Sequence, residues 1–146
     1  MRQITPFPVW VGHGGDGRAF PELFELGIRA VVQLAAEELP IQTPRELVFF
    51  RVPLVDGGGN DVKLLDLAVR SVAALLQRGI PALVCCGGGM SRSPVIVAAA
   101  LAVLHGNDFE GSLKLVTEEG PADFSTVLLT EVKHVITSSG GADTPG

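Results

Sequence analysis

This chain lacks the features that would place it in a membrane, outside the cell or on a nucleic acid. None of its 146 residues belongs to an uninterrupted apolar run of 18 or more. The nearest, Pro94 to Leu104, is too short to span a bilayer and reads as a buried helix. The opening residues, MRQITPFPVW, lack the charged-then-apolar layout of a signal peptide, so a cytoplasmic location is expected. There are only two cysteines, which excludes a disulfide scaffold. They are adjacent, Cys85 and Cys86, and neighbours on a strand point to opposite faces, so they do not readily bond to each other. Basic residues are few: eleven Lys and Arg stand against sixteen Asp and Glu, for a net charge of −5. They form no stripe, which argues against nonspecific nucleic-acid or membrane-surface binding. The three histidines show no metal-ligand spacing. His13 reads as a loop residue, His105 as a cation at a helix C-terminus and His134 as a surface helix position. No internal repeat is visible.

What is present is an apolar fraction of 47%, enough to build the core of one domain. Pro8 to Val11 reads as a short strand, followed by a glycine-rich loop, GHGGDG, at residues 12 to 17. Pro21 to Leu26 reads as a short helix stopped by Gly27. Ile28 to Ala35 and Leu47 to Val55 read as strands. Asp61 is placed to cap a helix in which Leu65, Ala68, Val72, Leu75 and Leu76 recur at helical spacing, with Gly79 as its stop. Ile80 to Cys85 reads as a strand. Pro94 suits the first turn of the next helix, which runs to about Gly106 and is apolar nearly all round, hence central and buried. Asp108 to Glu118 and Asp123 to Thr137 read as two further helices, and the last residues as a frayed tail. Strands alternating with helices predict an α/β fold with a central, mostly parallel twisted sheet flanked by helices. In such folds ligands sit at the carboxyl ends of the strands.

The stretch at such an end is ALVCCGGGMSRSPVIVAAALAVL, residues 82 to 104. The glycines of the loop Gly87-Gly88-Gly89-Met90-Ser91 let successive backbone N–H groups turn inward and form a nest for an anion. The following helix N-terminus adds partial positive charge. Arg92 offers a planar fork to two oxygens of a phosphate. At a helix N-terminus a cation is poorly placed unless an anion sits there too. Cys86 lies at the floor of this cradle, where a thiolate is favoured and aims a nucleophile at phosphorus. An acid must protonate the leaving oxygen. Asp56, in the loop DGGGND, is the candidate, and Asp61, better suited to a helix cap, is the reserve. Ser91 and Ser93 suit N-caps, and Ser93 also suits a hydrogen bond to the departing thiolate. Cys85 reads as a small core hydrophobe.

These residues resemble the cysteine-dependent protein tyrosine phosphatase superfamily, in particular its small dual-specificity phosphatases. The signature is His-Cys-x2-Gly-x2-Arg-Ser, and Cys86, Gly89, Arg92 and Ser93 match it, followed by Pro94 and the apolar helix. VWVGHGGDG, FELGIRAVVQLAAEE and FFRVPLVDGGGND look like the family's opening strand, its Leu-Gly-Ile-x-x-Val segment and its Asp-bearing loop. The likeness covers roughly residues 8 to 137. It implies a single phosphatase domain over residues 1–137, with 138–146 a flexible C-terminal tail. It implies attack by Cys86 to give a phosphocysteine intermediate, with backbone N–H groups of residues 87 to 92 and Arg92 holding the phosphate oxygens. Asp56 then acts as acid and later helps water attack. No metal or cofactor is implied. The expected substrate is a phosphorylated molecule, chiefly a phosphoprotein, and the expected state is a monomer. Two positions depart from the pattern. Cys85 stands where the family usually has histidine, which implies a less stabilised Cys86 thiolate, with lower activity or a raised pH optimum. Gly120, in GPADF, stands where the family often has Arg-Pro.

Other readings compete. Gly12, Gly14 and Gly17 spell G-x-G-x-x-G, with Glu37 or Glu38 about twenty residues on after a strand, the pattern of a dinucleotide-binding enzyme. A catalytically weak or inactive phosphate-binding look-alike is the alternative from another class. A sulfurtransferase also uses a cysteine-headed loop.

Overall fold

A computed structural model of the chain describes residues 1–88, 91–106, 108–118 and 124–142, with 139–142 described by backbone alone. Strands β1 (Arg2–Gln3), β2 (Val9–His13), β3 (Ala30–Ala35), β4 (Val48–Leu54) and β5 (Ala82–Cys86) form one sheet in the order β1-β2-β5-β3-β4. β5 pairs in parallel with β2 and β3, and β3 with β4; only β1 runs antiparallel, against β2. The expected α/β fold with a mostly parallel sheet flanked by helices is what the chain adopts. Every residue of β3 and β5 is buried, as the continuous apolar runs require in strands covered on both faces. β4 is an edge strand and alternates, and it tolerates Pro53 there.

The helices are α1 (Phe20–Glu25), α2 (Val62–Gln77), α3 (Arg92–Leu104), α4 (Phe109–Thr117) and α5 (Thr126–Ala142), with a 3-10 turn at Asp16–Arg18. The Asp61 side chain accepts from the Lys63 N–H at 2.8 Å and caps α2 as its sequence predicts. Gly27 and Gly79, at φ of 78° and 67°, end α1 and α2 in the left-handed region that glycine occupies without strain. α3 is buried from Arg92 through Ala102 and packs against α2, α4 and α5. Each fully buried Val or Ile of this helix contributes about 1.5–3 kcal/mol of apolar transfer free energy.

Several boundaries differ from the sequence reading. The start of α3 does not: it begins at Arg92 as expected, with Pro94 in the first turn, where a missing N–H costs no hydrogen bond. β1 has too few residues to leave a periodic signal. α5 begins at Thr126 rather than Asp123 and runs through Ser138–Ala142, the start of the expected tail. Residues 119–123, with Gly120, and 143–146 lie outside the described residues.

The sheet divides the core in two. Cys86 belongs to the larger cluster, with Val95, Ile96, Leu54 and the α2 face. Cys85 belongs to the smaller one, with Leu23, Ile28, Val31, Ile41, Leu47 and Leu83. The alternation of side chains along β5 therefore puts the two thiols on opposite faces.

Candidate active site

Parallel pairing of β2, β5, β3 and β4 brings the segments after all four strands to one edge of the sheet. The segment after β5 leads through Gly87 and Gly88 to Ser91 and α3. Gly89 and Met90, also expected in the phosphate loop, lie outside the described residues. The segment after β3 carries Glu37, and that after β4 carries Asp56.

Cys86 ends β5 and is 1% exposed, and its Sγ accepts from the Ser93 N–H at 3.4 Å. The contact expected of the Ser93 hydroxyl is thus made by its backbone. The Oγ is buried and has no hydrogen-bond partner among the described residues. Ser91 occupies the N-cap position of α3, yet its hydroxyl makes no capping bond. It donates instead to Asp56 Oδ1 at 2.9 Å, which joins the Asp-bearing loop to the phosphate-type loop. Ser91 therefore leaves the first N–H groups of α3 uncapped, and that of Ser93 turns to the Cys86 sulfur, an arrangement that suits an anion at a helix N-terminus.

Arg92 is 2% exposed. Its Nη1 donates to Glu37 Oε1 at 2.7 Å and to the Leu54 carbonyl at 2.8 Å, and its Nη2 donates to Glu37 Oε2 at 2.7 Å. Its Nε is buried and has no partner among the described residues. The Arg92 hydrogen bonds, opposed in part by burial, pull the Glu37 carboxyl down to about 2. The same bonds to Glu37 raise Arg92 further above its already high value. Glu37 was legible in the sequence only as an acid following a strand, in the dinucleotide reading. Nothing in the sequence pairs it with a residue 55 positions away; strand order does. Gly87 permits the pairing: a Cβ there would lie 2.7 Å from Glu37 Oε2 and 3.0 Å from Arg92 Nη2.

Asn60 ties the Asp56 loop to itself, its Oδ1 accepting from the Val55 N–H at 2.8 Å and its Nδ2 donating to the Val55 carbonyl at 3.0 Å. The Gly59 N–H donates to Glu131 Oε2 of α5 at 2.8 Å, anchoring the loop's far side. An open cleft of about 300 Å³ beside it is lined by Asp56, Gly57, Phe124 and Ser125. Asp61 is engaged as the α2 cap, so the reserve acid is occupied elsewhere.

Cys85 sits on the other face, where burial, followed by the charges of Cys86 and Glu38, pushes its thiol up to about 12. A Cβ on Gly17 would come within 3.0 Å of its Sγ and 2.7 Å of Ile41 Cδ1. The glycines of G-x-G-x-x-G are thus backed by side chains. Gly12 lies within β2 against Asp16, Gly14 lies against the Glu38 carboxylate, and Gly17 lies against Ile41 and Cys85. A pyrophosphate there would meet Asp16 and Glu38, and the segment leads into a helix of only six residues. This geometry disfavours the dinucleotide reading. His13 ends β2 with its Nδ1 accepting from the Gly15 N–H, His105 follows α3 beside the Phe7 ring, and His134 is exposed on α5. Among the described residues no group of three or more His, Cys, Asp and Glu could hold a metal ion, and no helix is long and apolar enough to cross a membrane.

The arrangement joins a cysteine, an uncapped helix N-terminus, a fixed guanidinium and a carboxylate at the mouth. It can seat a tetrahedral anion and present it to a sulfur. Solved structures share this fold. Human DUSP28 superposes with a TM-score of 0.84 at 19% identity, over 98% of this chain and 100% of that one. A mouse putative dual specificity phosphatase complexed with zinc tungstate gives 0.82 at 20% identity, over 96% and 88%. PTPMT1 in complex with PI(5)P gives 0.73 at 18%, over 97% of each chain. No curated protein matches the sequence. The family model described as "Polymorphic toxin system, DSP-PTPase phosphatase" matches residues 15–107, more than half of the chain. The chain therefore belongs to this family of dual-specificity-type cysteine phosphatases.

Proposed function

We propose that this protein is a phosphomonoester hydrolase of the dual-specificity type, acting through a phosphocysteine at Cys86 as a single domain over residues 1–137. The observation that carries the reading is the α3 N-terminus, where two nine-tenths-buried polar groups, Arg92 Nε and Ser93 Oγ, have no partner among the described residues. Buried polar groups ordinarily find partners, and a bound phosphate supplies them here. In the first step the Cys86 thiolate forms an S–P bond as the P–O bond to the leaving group breaks, and protonated Asp56 gives its proton to the leaving oxygen. Backbone N–H groups of residues 87–92, including those of Gly88, Gly89, Met90 and Ser91, and the free edge of Arg92, its Nε with the second Nη2 hydrogen, hold the other oxygens. In the second step Asp56 takes a proton from water, which attacks phosphorus, and the S–P bond breaks to release phosphate and regenerate the thiolate, supported by Ser93. Such a thiol needs a reducing compartment, which fits a cytoplasmic site of action for a monomer. A phosphoprotein is the favoured substrate class. The phosphoinositide named with PTPMT1 is the other class to assay.

The test is hydrolysis of p-nitrophenyl phosphate by the reduced protein across pH, with acid-quench trapping of the S-phosphoryl adduct. Turnover with label on Cys86 supports the reading. A parent inactive at every pH that still binds phosphate or vanadate is the inactive look-alike.

A further inference from the structure

Glu37 holds Arg92, but Glu37 is itself on an exposed segment and needs something to hold it. Three side chains from the sheet side supply that support. Two of them, Gln33 (β3) and Arg51 (β4), are register partners in the row that also holds Cys85 (β5), and the third, Arg18, comes from the 3-10 turn. Arg51 Nη2 donates to the carbonyls of Ala36 at 3.5 Å and Glu38 at 3.2 Å, the residues on either side of Glu37. Gln33, fully buried, donates through Nε2 to the Leu39 carbonyl at 2.9 Å and accepts from the Ile41 N–H at 3.0 Å. Arg18 Nη2 donates to the same Leu39 carbonyl at 3.1 Å.

We infer that Arg51 is a positioning residue for phosphate binding: by gripping the peptide carbonyls flanking Glu37 it fixes that carboxylate, and through it the plane of the Arg92 guanidinium. The inference rests on reading the cradle as a phosphate seat. A purely structural role explains the geometry less well. Arg51 leaves its Nε buried and without a partner among the described residues, a cost that an apolar side chain at this position avoids. Its donor group goes to the segment that orients the site rather than to solvent. The line of contacts, Arg51 to the Glu37 segment to Arg92, is continuous.

The experiment is calorimetric titration of inorganic phosphate into the parent, Arg51→Met, Arg51→Lys, Glu37→Gln and the Arg51→Met/Glu37→Gln double variant. Losing a charged donor lowers phosphate affinity about tenfold in Arg51→Met, and about threefold in Arg51→Lys, which keeps one donor. Glu37→Gln also lowers it, and adding Arg51→Met to Glu37→Gln lowers it no further, because the two act in series. Arg78→Met, which removes an exposed arginine bonded within its own helix, leaves the affinity unchanged. Parent-like affinity in a folded Arg51→Met protein, or losses that simply add in the double variant, overturn the inference. If Arg51→Met does not fold, parent-like affinity in Arg51→Lys overturns it equally. A parent that binds no phosphate overturns this inference and the proposed function together. A parent that binds phosphate, with Arg51 variants that bind it as well, removes this inference alone.

Discussion

Cys85 and Cys86 are one peptide bond apart and nearly equally buried, yet they face different surroundings. Cys86 points toward the α3 N-terminus, where an N–H donates to its sulfur and an arginine lies beside the loop. Cys85 points into the smaller core against Gly17 and Ile41, and its thiol is held protonated. The difference shows that burial alone does not determine a thiol's use. What matters is which face of the strand meets a helix terminus. Cys85, standing where related phosphatases usually carry histidine, has the environment of a packing residue.

The largest effect that sharpens this contrast is loss of the proposed nucleophile. Cys86→Ser lowers kcat on p-nitrophenyl phosphate by about 10⁴-fold or more, whereas Cys85→Ser stays within about fivefold of the parent. Equal losses in steady-state assays would erase the distinction between the two faces. Next comes Asp56, the proposed acid, which Ser91 joins to the start of α3. Asp56→Asn slows hydrolysis of phenyl phosphate by about 10²-fold, and that of p-nitrophenyl phosphate less, because nitrophenolate leaves without a proton. An equal loss on both substrates would deny Asp56 the role of acid.

A methyl group added on each face gives a paired test. Gly87→Ala pushes on the Glu37–Arg92 pair and raises KM and the phosphate dissociation constant about tenfold, with melting temperature little changed. Gly17→Ala pushes on Cys85 and Ile41, costs about 1–3 kcal/mol of stability in denaturant titration, and leaves kcat/KM of the folded protein unchanged. The opposite assignment of stability and KM effects would reverse the comparison. The smallest effect is alkaline. The Cys85 thiol keeps its proton in the folded state up to about 12, while the unfolded chain releases it near the ordinary 9.0. Stability is therefore fully present below pH 9 and declines between pH 9 and 12. Cys85→Ala flattens that decline in pH-dependent unfolding, and an unchanged slope would mean that Cys85 is not the group responsible.

The local elements were legible in the sequence. The run from Ala82 to Leu104, the Asp61 cap and the stops at Gly27 and Gly79 follow from propensities acting over a few residues. The thiol, loop and arginine could be read because they are contiguous. Glu37 as the partner of Arg92 could not, because it depends on β3 lying beside β5, and a single sequence does not encode strand order at that range. Ser91 shows the same limit in miniature. Its position says N-cap, but Asp56 from another loop draws its hydroxyl away. Tertiary partners also decide the Ser93 contact, which is made through the backbone instead of the hydroxyl.

The Arg92–Glu37 pair has a consequence for how substrate arrives. The site's buried cation is already matched by a carboxylate at 2.7 Å, and the whole molecule is acidic, so little attractive field extends beyond the mouth. If the site works as proposed, capture depends on close contact at the α3 N-terminus rather than on long-range attraction. Association is then governed by ordinary diffusion and orientation, and it varies little with ionic strength, since a short-range grip leaves salt little to screen.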